Sequence, residues 1–281
     1  MKKDINNLIN KQIKIIEKKE AKLLKEPKDS YIKEKISPIK NKLEDKIPEK
    51  LQSTLELAFQ KGFKLVFDKG IGIIEKTYNK DSINMEYDIN AYAVNKYPSK
   101  KNLKKIDKAA NKKSMINKSI TAIEGSGLGL LGIGLPDIPV YIAVILKSIY
   151  EISLSYGFDY STETEKAYIL TLISSAVTKG AERKHYFDKL DILASNIDNN
   201  NAYDYNLEEI LIDTSNKIST YMLTAKFIQG LPIVGVVGGV TNFITLQDIT
   251  KIAKIKYKKR YLNKLYFIWT LLHLKTTVYF Y

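Results

Sequence analysis

An all-α fold is the class that the sequence predicts, in the form of a multi-helix bundle with two glycine-rich apolar helical segments. Apolar residues recur at helical spacing in nearly every long segment, and capping signals precede some of these segments. The sequence contains no run of alternating strands bounded by turns. With 281 residues, 44% of them hydrophobic, the chain can bury a sizeable core, and we expect mostly a single domain.

The first helix is expected over residues 4–25, where isoleucine and leucine recur among lysines at helical spacing. Three prolines then divide residues 26–50 into short pieces, because proline interrupts a helix. The last of them, Pro48, suits the first turn of the next helix, which carries Leu55 and other apolar residues on one stripe. Residues 79–100 are rich in Asn, Lys, Asp and Tyr and are expected to form an exposed connection.

The later helices are marked by local signals. The sequence Thr162-x-x-Glu165 is a capping box, which predicts the start of a helix that runs through Val177, with Gly180 as its expected stop. A polar loop is expected over residues 198–205, followed by a long helix over residues 206–229.

Glycine is concentrated in two short windows that hold nine of the fourteen glycines. Each window contains Gly-Leu-Pro and a GxxxG spacing, which in a helix lets another backbone approach closely. Each glycine costs about 1 kcal/mol in a helix interior, so such density needs a packing or binding reason. The glycines are Gly125, Gly127, Gly129, Gly132 and Gly134, and then Gly230, Gly235, Gly238 and Gly239.

The two windows also lie in apolar stretches, residues 127–146 and 227–247, each long enough to span a bilayer. Asp137 stands at the centre of the first stretch, where a charge opposes insertion. Buried helices in a soluble bundle, shallow or hairpin insertion, and full spanning all remain open. A nucleotide site is not expected, because Pro136 and Pro139 interrupt the helix that the fingerprint beginning at Gly127 would require.

The formal net charge is +14, and all but two of the 45 basic residues are lysine. The positive charge lies in residues 1–113 and 247–281, on either side of a more acidic middle. A solvated lysine-rich surface and attraction to an anionic membrane both explain it, whereas specific nucleic-acid recognition would call for arginine. The basic end of the second arm, with an aromatic tail after it, suits a membrane interface. We expect anionic-surface binding by Lys254, Lys258, Lys259 and Arg260.

Catalytic chemistry finds little material in the sequence. The absence of cysteine excludes thiolate zinc sites and cysteine nucleophiles, and only two histidines are present. Glu182-x-x-His185 lacks the second pair that a di-iron bundle needs, and neither HExxH nor GxSxG occurs. Asp137 with Asp159 could form a carboxylate dyad, but helix capping by Asp137 is the favoured interpretation. No metal or cofactor is expected.

Two blocks of the sequence each combine several of these residues in a fixed order. The first block is the glycine-rich run followed by Asp and Pro and a long segment that ends in Tyr-Gly-x-Asp; the second has Pro-x-x-Gly, paired glycines, Asn, Thr and a basic end. The first block supplies Gly125 to Gly134, Asp137, Pro139, Tyr156, Gly157 and Asp159, and the second supplies Pro232, Gly235, Gly238, Gly239, Asn242, Thr245 and Arg260. Together the two blocks resemble the EcsC protein family. The resemblance implies a bacterial protein whose namesake is encoded beside an ABC transporter, and it implies no mechanism.

With this resemblance, the expected division is an N-terminal helical extension over 1–46, an EcsC-like helical domain over 47–265 and an aromatic tail over 266–281. We expect a non-enzymatic accessory protein at the cytoplasmic face of the plasma membrane, held there by anionic lipid or a membrane-protein partner. The location rests on the lack of an apolar stretch behind the first lysines, which a signal peptide would need. The alternatives are a hydrolase that uses Asp137 or Asn242, and a soluble interaction scaffold.

Overall fold

Two of the helices have no polar side, so other helices must cover them in every direction, and this determines the architecture. They are the helices over Asp137–Ser155 and Glu163–Val177. The computed structural model describes residues 2–25, 48–113, 137–228 and 239–278. Within these ranges the chain forms nine helices and no strand, which confirms the all-α prediction.

The helices follow the chain in a simple order. They are α1 (Lys2–Leu24), α2 (Glu49–Leu65, continued by a π-helical turn Val66–Gly70 and by Ile71–Glu75), α3 (Lys80–Lys96), α4 (Lys100–Lys113), α5 (Asp137–Ser155), α6 (Glu163–Val177), α7 (Gly180–Asp198), α8 (Leu207–Ile228) and α9 (Gly239–Val278).

The centre of the bundle is formed by α5 and α6, whose side chains are buried over almost their whole length. Helices α2, α3, α4 and α9 pack around α5, while α7, α8 and α9 pack around α6. The long helix α9 therefore contacts both central helices. Burial of apolar surface at about 25 cal/mol per Å² makes this shared core the main source of stability.

Helix α1 belongs to the same core. Its Ile5, Ile9 and Ile16 are each at most 4% exposed, and the helix packs on α9 and α7. At the other end, α9 continues to Val278, so the segment expected as an aromatic tail prolongs a helix, with Tyr266 and Phe267 exposed on it.

Most predicted elements are present within a few residues of their expected bounds. Pro48 is the residue before α2, and the Thr162 hydroxyl accepts a hydrogen bond from the Glu165 backbone N–H at 3.2 Å, as a capping box requires. Helix α6 ends at Val177, as predicted, but Gly180 is not the residue that terminates it. Gly180, with a φ of +57°, begins α7.

The prediction that residues 79–100 form an exposed connection is also wrong, because α3 occupies Lys80–Lys96. The side chain of Asn79 caps this helix by accepting a hydrogen bond from the Ser82 backbone N–H at 2.8 Å. Only Ile83 and Val94 are fully buried on α3, and its other residues are half-buried or exposed. A helix with so narrow an inner face has the polar composition of a loop.

Candidate functional site

The glycine-rich windows supplied most candidate residues, and most of these lie outside the described residues. This applies to Gly125, Gly127, Gly129, Gly132, Gly134, Gly230, Pro232, Gly235 and Gly238. Asp137 begins α5, Gly239 begins α9, and Asn242 lies in the first turn of α9. The side chains of Asp137 and Asn242 are not among those described. Close packing by the glycines, capping by Asp137, and hydrolysis by Asp137 or Asn242 therefore stay predictions. Pro139 and Thr245 are buried near the starts of α5 and α9.

Among the described helices, one is long and apolar enough to span a membrane by length and composition, over Ile138–Ser155 of α5. Within the bundle, 94% of this window is buried inside the protein. The window contains a buried ion pair in which Lys147 Nζ lies 3.5 Å from a carboxylate oxygen of Glu151. Helix α2 approaches α5 so closely that a Cβ on Gly62 would lie 2.7 Å from Ile142 Cδ1. In this structure the described part of the first apolar stretch is thus a core helix.

The Tyr-Gly-x-Asp motif forms the turn that ends α5. Gly157 has a φ of +76°, a conformation that glycine adopts without strain, and its backbone N–H donates to the Leu154 carbonyl at 2.9 Å. The ring of Tyr87 lies directly on Gly157, since a Cβ there would come within 2.1 Å of the ring. The Tyr156 hydroxyl donates to Asp107 of α4 at 3.1 Å. This motif joins α5 to α3 and α4.

Asp159, the last residue of the motif, is exposed and has a local role. Its carboxylate accepts hydrogen bonds from the Ser161 hydroxyl at 2.6 Å and from the Ser161 backbone N–H at 3.2 Å. Loss of hydration acts to raise the pKa of Asp159, but the Ser161 hydrogen bonds, the positive charge of Lys80 and a hydrogen bond from the Tyr160 backbone together hold this pKa below its usual value. An ionised carboxylate that organises a turn fits these contacts. The dyad with Asp137 stays a prediction, since the Asp137 side chain is not described.

A hydrogen-bonded cluster next to Asp159 was missed by sequence reasoning. The Tyr160 hydroxyl donates to Glu75 at 2.5 Å and lies 2.5 Å from the Tyr78 hydroxyl, and Lys80 Nζ is 3.1 Å from Glu75. The hydrogen bond from Tyr160 lowers the pKa of Glu75, whereas burial raises the pKa of both tyrosines. Glu75 is therefore ionised and both phenols are neutral near pH 7, a stable network with no activated nucleophile.

The basic end of α9 was expected to bind an anionic surface, and the structure corrects this for Arg260. Arg260 is only 3% exposed, and its guanidinium donates to Glu165 at 2.7 Å and to Asp198 at 2.6 Å. The rings of Phe158 and Tyr168 lie 4.2 and 4.4 Å from the guanidinium carbon, close enough for cation–π contact. Arg260 thus joins α9 to α6 and α7 inside the protein.

The neighbouring lysines are also engaged by carboxylates of other helices. Lys258 Nζ is 2.7 Å from Asp107 of α4, and Lys259 Nζ is 2.7 Å from Asp191 and 3.0 Å from Glu20 of α1. Lys254 is half-buried, and burial lowers the pKa of its ammonium group. Three of the four residues expected to form one lipid-facing cluster, Lys258, Lys259 and Arg260, therefore pair with carboxylates of α1, α4, α6 and α7. These carboxylates come from distant parts of the chain.

The sequence pattern of the EcsC protein family matches residues 10–262. The chain belongs to the EcsC protein family. Protein EcsC of Bacillus subtilis (strain 168) is 26% identical to it in an alignment 160 residues long that covers 54% of this chain. The match covers 63% of that relative, so the chain spans less than two thirds of its length. No solved structure was found to match.

The EcsC match begins inside α1, whereas the sequence placed the start of the family domain at residue 47. Helix α1 contributes Glu20, which lies 2.7 Å from the buried Nζ of Lys256, and Ile9, which is buried in the core. The EcsC fold of this chain accordingly uses the first helix as well as the later ones.

One surface feature of this EcsC chain was not found from the sequence. Met85, Ile89 and Tyr92 recur at four- and three-residue spacing on the outward side of α3, and each is more than 60% exposed. Tyr97, directly after the helix, is 78% exposed. We call these four residues the α3 stripe. The signal was present in the sequence, but it becomes visible only once α3 is known to be a helix.

The Glu182 and His185 pair lies on the surface of the protein. Glu182 and His185 are both exposed on α7, and Glu182 forms an ion pair with Lys217 at 2.7 Å. Within the described ranges, no group of three or more His, Asp or Glu residues is placed to hold a metal ion.

Proposed function

We propose that this EcsC protein is a non-enzymatic accessory protein that associates peripherally with the cytoplasmic face of the membrane. The observation that carries the proposal is the α3 stripe, a row of four large apolar or aromatic side chains left in solvent. Contiguous exposed apolar surface on a soluble protein is typical of an interaction site. The two tyrosines add rings of the kind that favour the depth of lipid headgroups.

The burial of α5 supports a peripheral mode of association. Its apolar window is already covered by other helices over 94% of its residues. Insertion of this helix into lipid would expose the Lys147–Glu151 pair and require the bundle to open. A protein that keeps its core folded and touches the membrane through an outer helix avoids both costs.

Fractionation of cells tests this proposal directly. We expect the protein to sediment with membranes and to be released by alkaline carbonate, because an interfacial contact buries little apolar surface. Replacing the stripe with Met85→Gln, Ile89→Gln and Tyr92→Gln should shift the protein to the soluble fraction. The control, Leu57→Gln with Ile192→Gln, removes two other exposed apolar side chains and should leave fractionation unchanged.

Three results contradict the proposal. They are retention after carbonate extraction, a wild-type protein that never sediments with membranes, and equal behaviour of the stripe and control variants. If sedimentation is lost in cells that lack one membrane protein, the binding partner is that protein and not lipid. The ABC transporter implied by the family resemblance is the first partner to delete.

A further inference from the structure

A row of lysines runs along the outer side of α4. Six lysines of this helix are exposed, and four of them recur at every fourth residue, which places them along one side of the helix. Within the described part of the chain, none of the six forms an ion pair. They are Lys100, Lys101, Lys104, Lys105, Lys108 and Lys112.

The carboxylate nearest in sequence to these lysines is directed elsewhere. Asp107 is the one acidic residue of α4, and it is bound to Lys258 of α9 at 2.7 Å and to the hydroxyl of Tyr156. The outward side of α4 therefore carries positive charge without a neutralising carboxylate from its own helix. Such a row attracts anions over a distance set by the ionic strength.

The lysine row lies beside the α3 stripe. Helices α3 and α4 pack against each other, and both pack on α5. The buried residues of α3 (Ile83 and Val94) and those of α4 (Leu103 and Ile106 among them) form the inner sides. The stripe and the lysines are consequently on the sides turned away from the core. We call this combined surface the α3–α4 outer face.

We propose that the α3–α4 outer face binds an anionic lipid bilayer, and this inference rests on the proposed function. The lysines contact phosphate groups of the headgroup layer, while Met85, Ile89 and Tyr92 enter the boundary between headgroups and acyl chains. Apolar residues on one helix beside lysines on the next reproduce the two contributions that hold interfacial helices on anionic membranes.

Two other occupants fit this surface less well. A second copy of the chain, docked by a two-fold axis, would bring like-charged lysine rows together across the contact. Nucleic acid would use the lysines but leave Met85 and Ile89 without a role, and lysine lacks the bidentate fork of arginine. Asp81 and Asp88 share the exposed side of α3, so they reduce the positive charge without cancelling six lysines.

Vesicle sedimentation of the purified full chain tests the inference. The probes are vesicles of phosphatidylcholine alone and of equal parts phosphatidylcholine and phosphatidylglycerol. We expect binding to the anionic vesicles only, weakened by salt, because the lysines are solvent-exposed. The variant Lys100→Gln, Lys104→Gln, Lys108→Gln and Lys112→Gln should bind about a hundredfold more weakly or worse, since each lysine near an anionic surface contributes about a factor of five.

A charge-matched control separates this surface from net charge. Lys50→Gln, Lys61→Gln, Lys69→Gln and Lys179→Gln remove the same charge from exposed positions on α2 and before α7. This variant should bind within about threefold of the wild type, since its lysines are away from the outer face. Asp88→Asn should bind several-fold more tightly, because it removes a repulsive charge beside Ile89.

The failures are distinguishable. Equal loss in the lysine variant and its control, or binding by the lysine variant at the wild-type level, overturns the outer face while membrane association stands. Equal binding to neutral and anionic vesicles overturns the lipid charge preference. No binding to any vesicle overturns both this inference and the lipid form of the proposed function, and tight binding to DNA instead would assign the lysines to nucleic acid.

Discussion

Gly157 is the residue at which the Tyr-Gly-x-Asp motif has its clearest physical cause. A residue other than glycine would adopt this positive φ only at a cost in free energy, and the Tyr87 ring fills the space that a Cβ would occupy. Because Tyr87 belongs to α3, the glycine fixes how closely α3 approaches the end of α5. A glycine that looks like a loop residue in the sequence is therefore a packing contact between helices.

Replacement of this glycine should be costly. Gly157→Ala should lower the free energy of unfolding by about 1–3 kcal/mol, through the positive φ and through overlap with the ring. The matched control is Gly72→Ala, at an exposed helical site where a Cβ meets nothing within 4 Å. That change should raise stability by up to about 1 kcal/mol. Urea unfolding of both variants measures the two effects, and equal stabilities would rule out the close approach of Tyr87.

The ion pairs of Arg260 could not be predicted from the sequence. A basic run followed by aromatic residues is typical of a membrane interface, and the expectation rested on that local pattern. The partners of Arg260 are Glu165 and Asp198, which are 95 and 62 residues away in sequence. No pattern within a short window reports a partner at that distance. Thr162, in contrast, caps a helix that begins one residue later, and the sequence alone predicted it.

At the scale of elements, the helices with a wide apolar side were predicted and α3 was not. Helix α6 has buried side chains at almost every position, so its apolar sequence and its capping box both predicted a helix. Helix α3 buries Ile83 and Val94 and exposes Met85, Ile89 and Tyr92, so apolar residues fall on two opposite sides. Two stripes on one helix blur the helical period. The outward stripe, which obscured the helix in the sequence, is the feature on which the proposed function rests.

Helix α1 provides the prediction at this scale. Ile9 is 1% exposed in the core, so Ile9→Ala should lower the free energy of unfolding by about 2–5 kcal/mol through the cavity it leaves. Ile15 is 43% exposed on the same helix, and Ile15→Ala should change stability by no more than about 0.5 kcal/mol. Thermal and urea unfolding followed by circular dichroism measure both. Equal effects, or a separate early transition for α1, would make this helix an independent extension.

At the scale of the whole molecule, the basic residues of α9 and those of α4 have different surroundings. On α9, basic residues pair with carboxylates of α1, α4, α6 and α7 and hold the bundle together. On α4, the exposed lysines have no such carboxylates within the described ranges and remain available to an external anion. The basic residues of α9 thus form ion pairs inside the bundle, whereas those of α4 are exposed to solvent.

The most direct test of the central claim uses the absence of cysteine from the chain. Ile89→Cys places a single thiol in the α3 stripe, and Ile192→Cys places one at a comparably exposed site on α7, at 64% and 50% exposure in the wild type. Each thiol is labelled with a polarity-sensitive fluorophore and titrated with the anionic vesicles. We predict that the label at position 89 shifts to the emission of an apolar environment while the label at position 192 stays in water. A shift at position 192 without one at position 89, or no shift at either, would contradict attachment through the α3–α4 outer face.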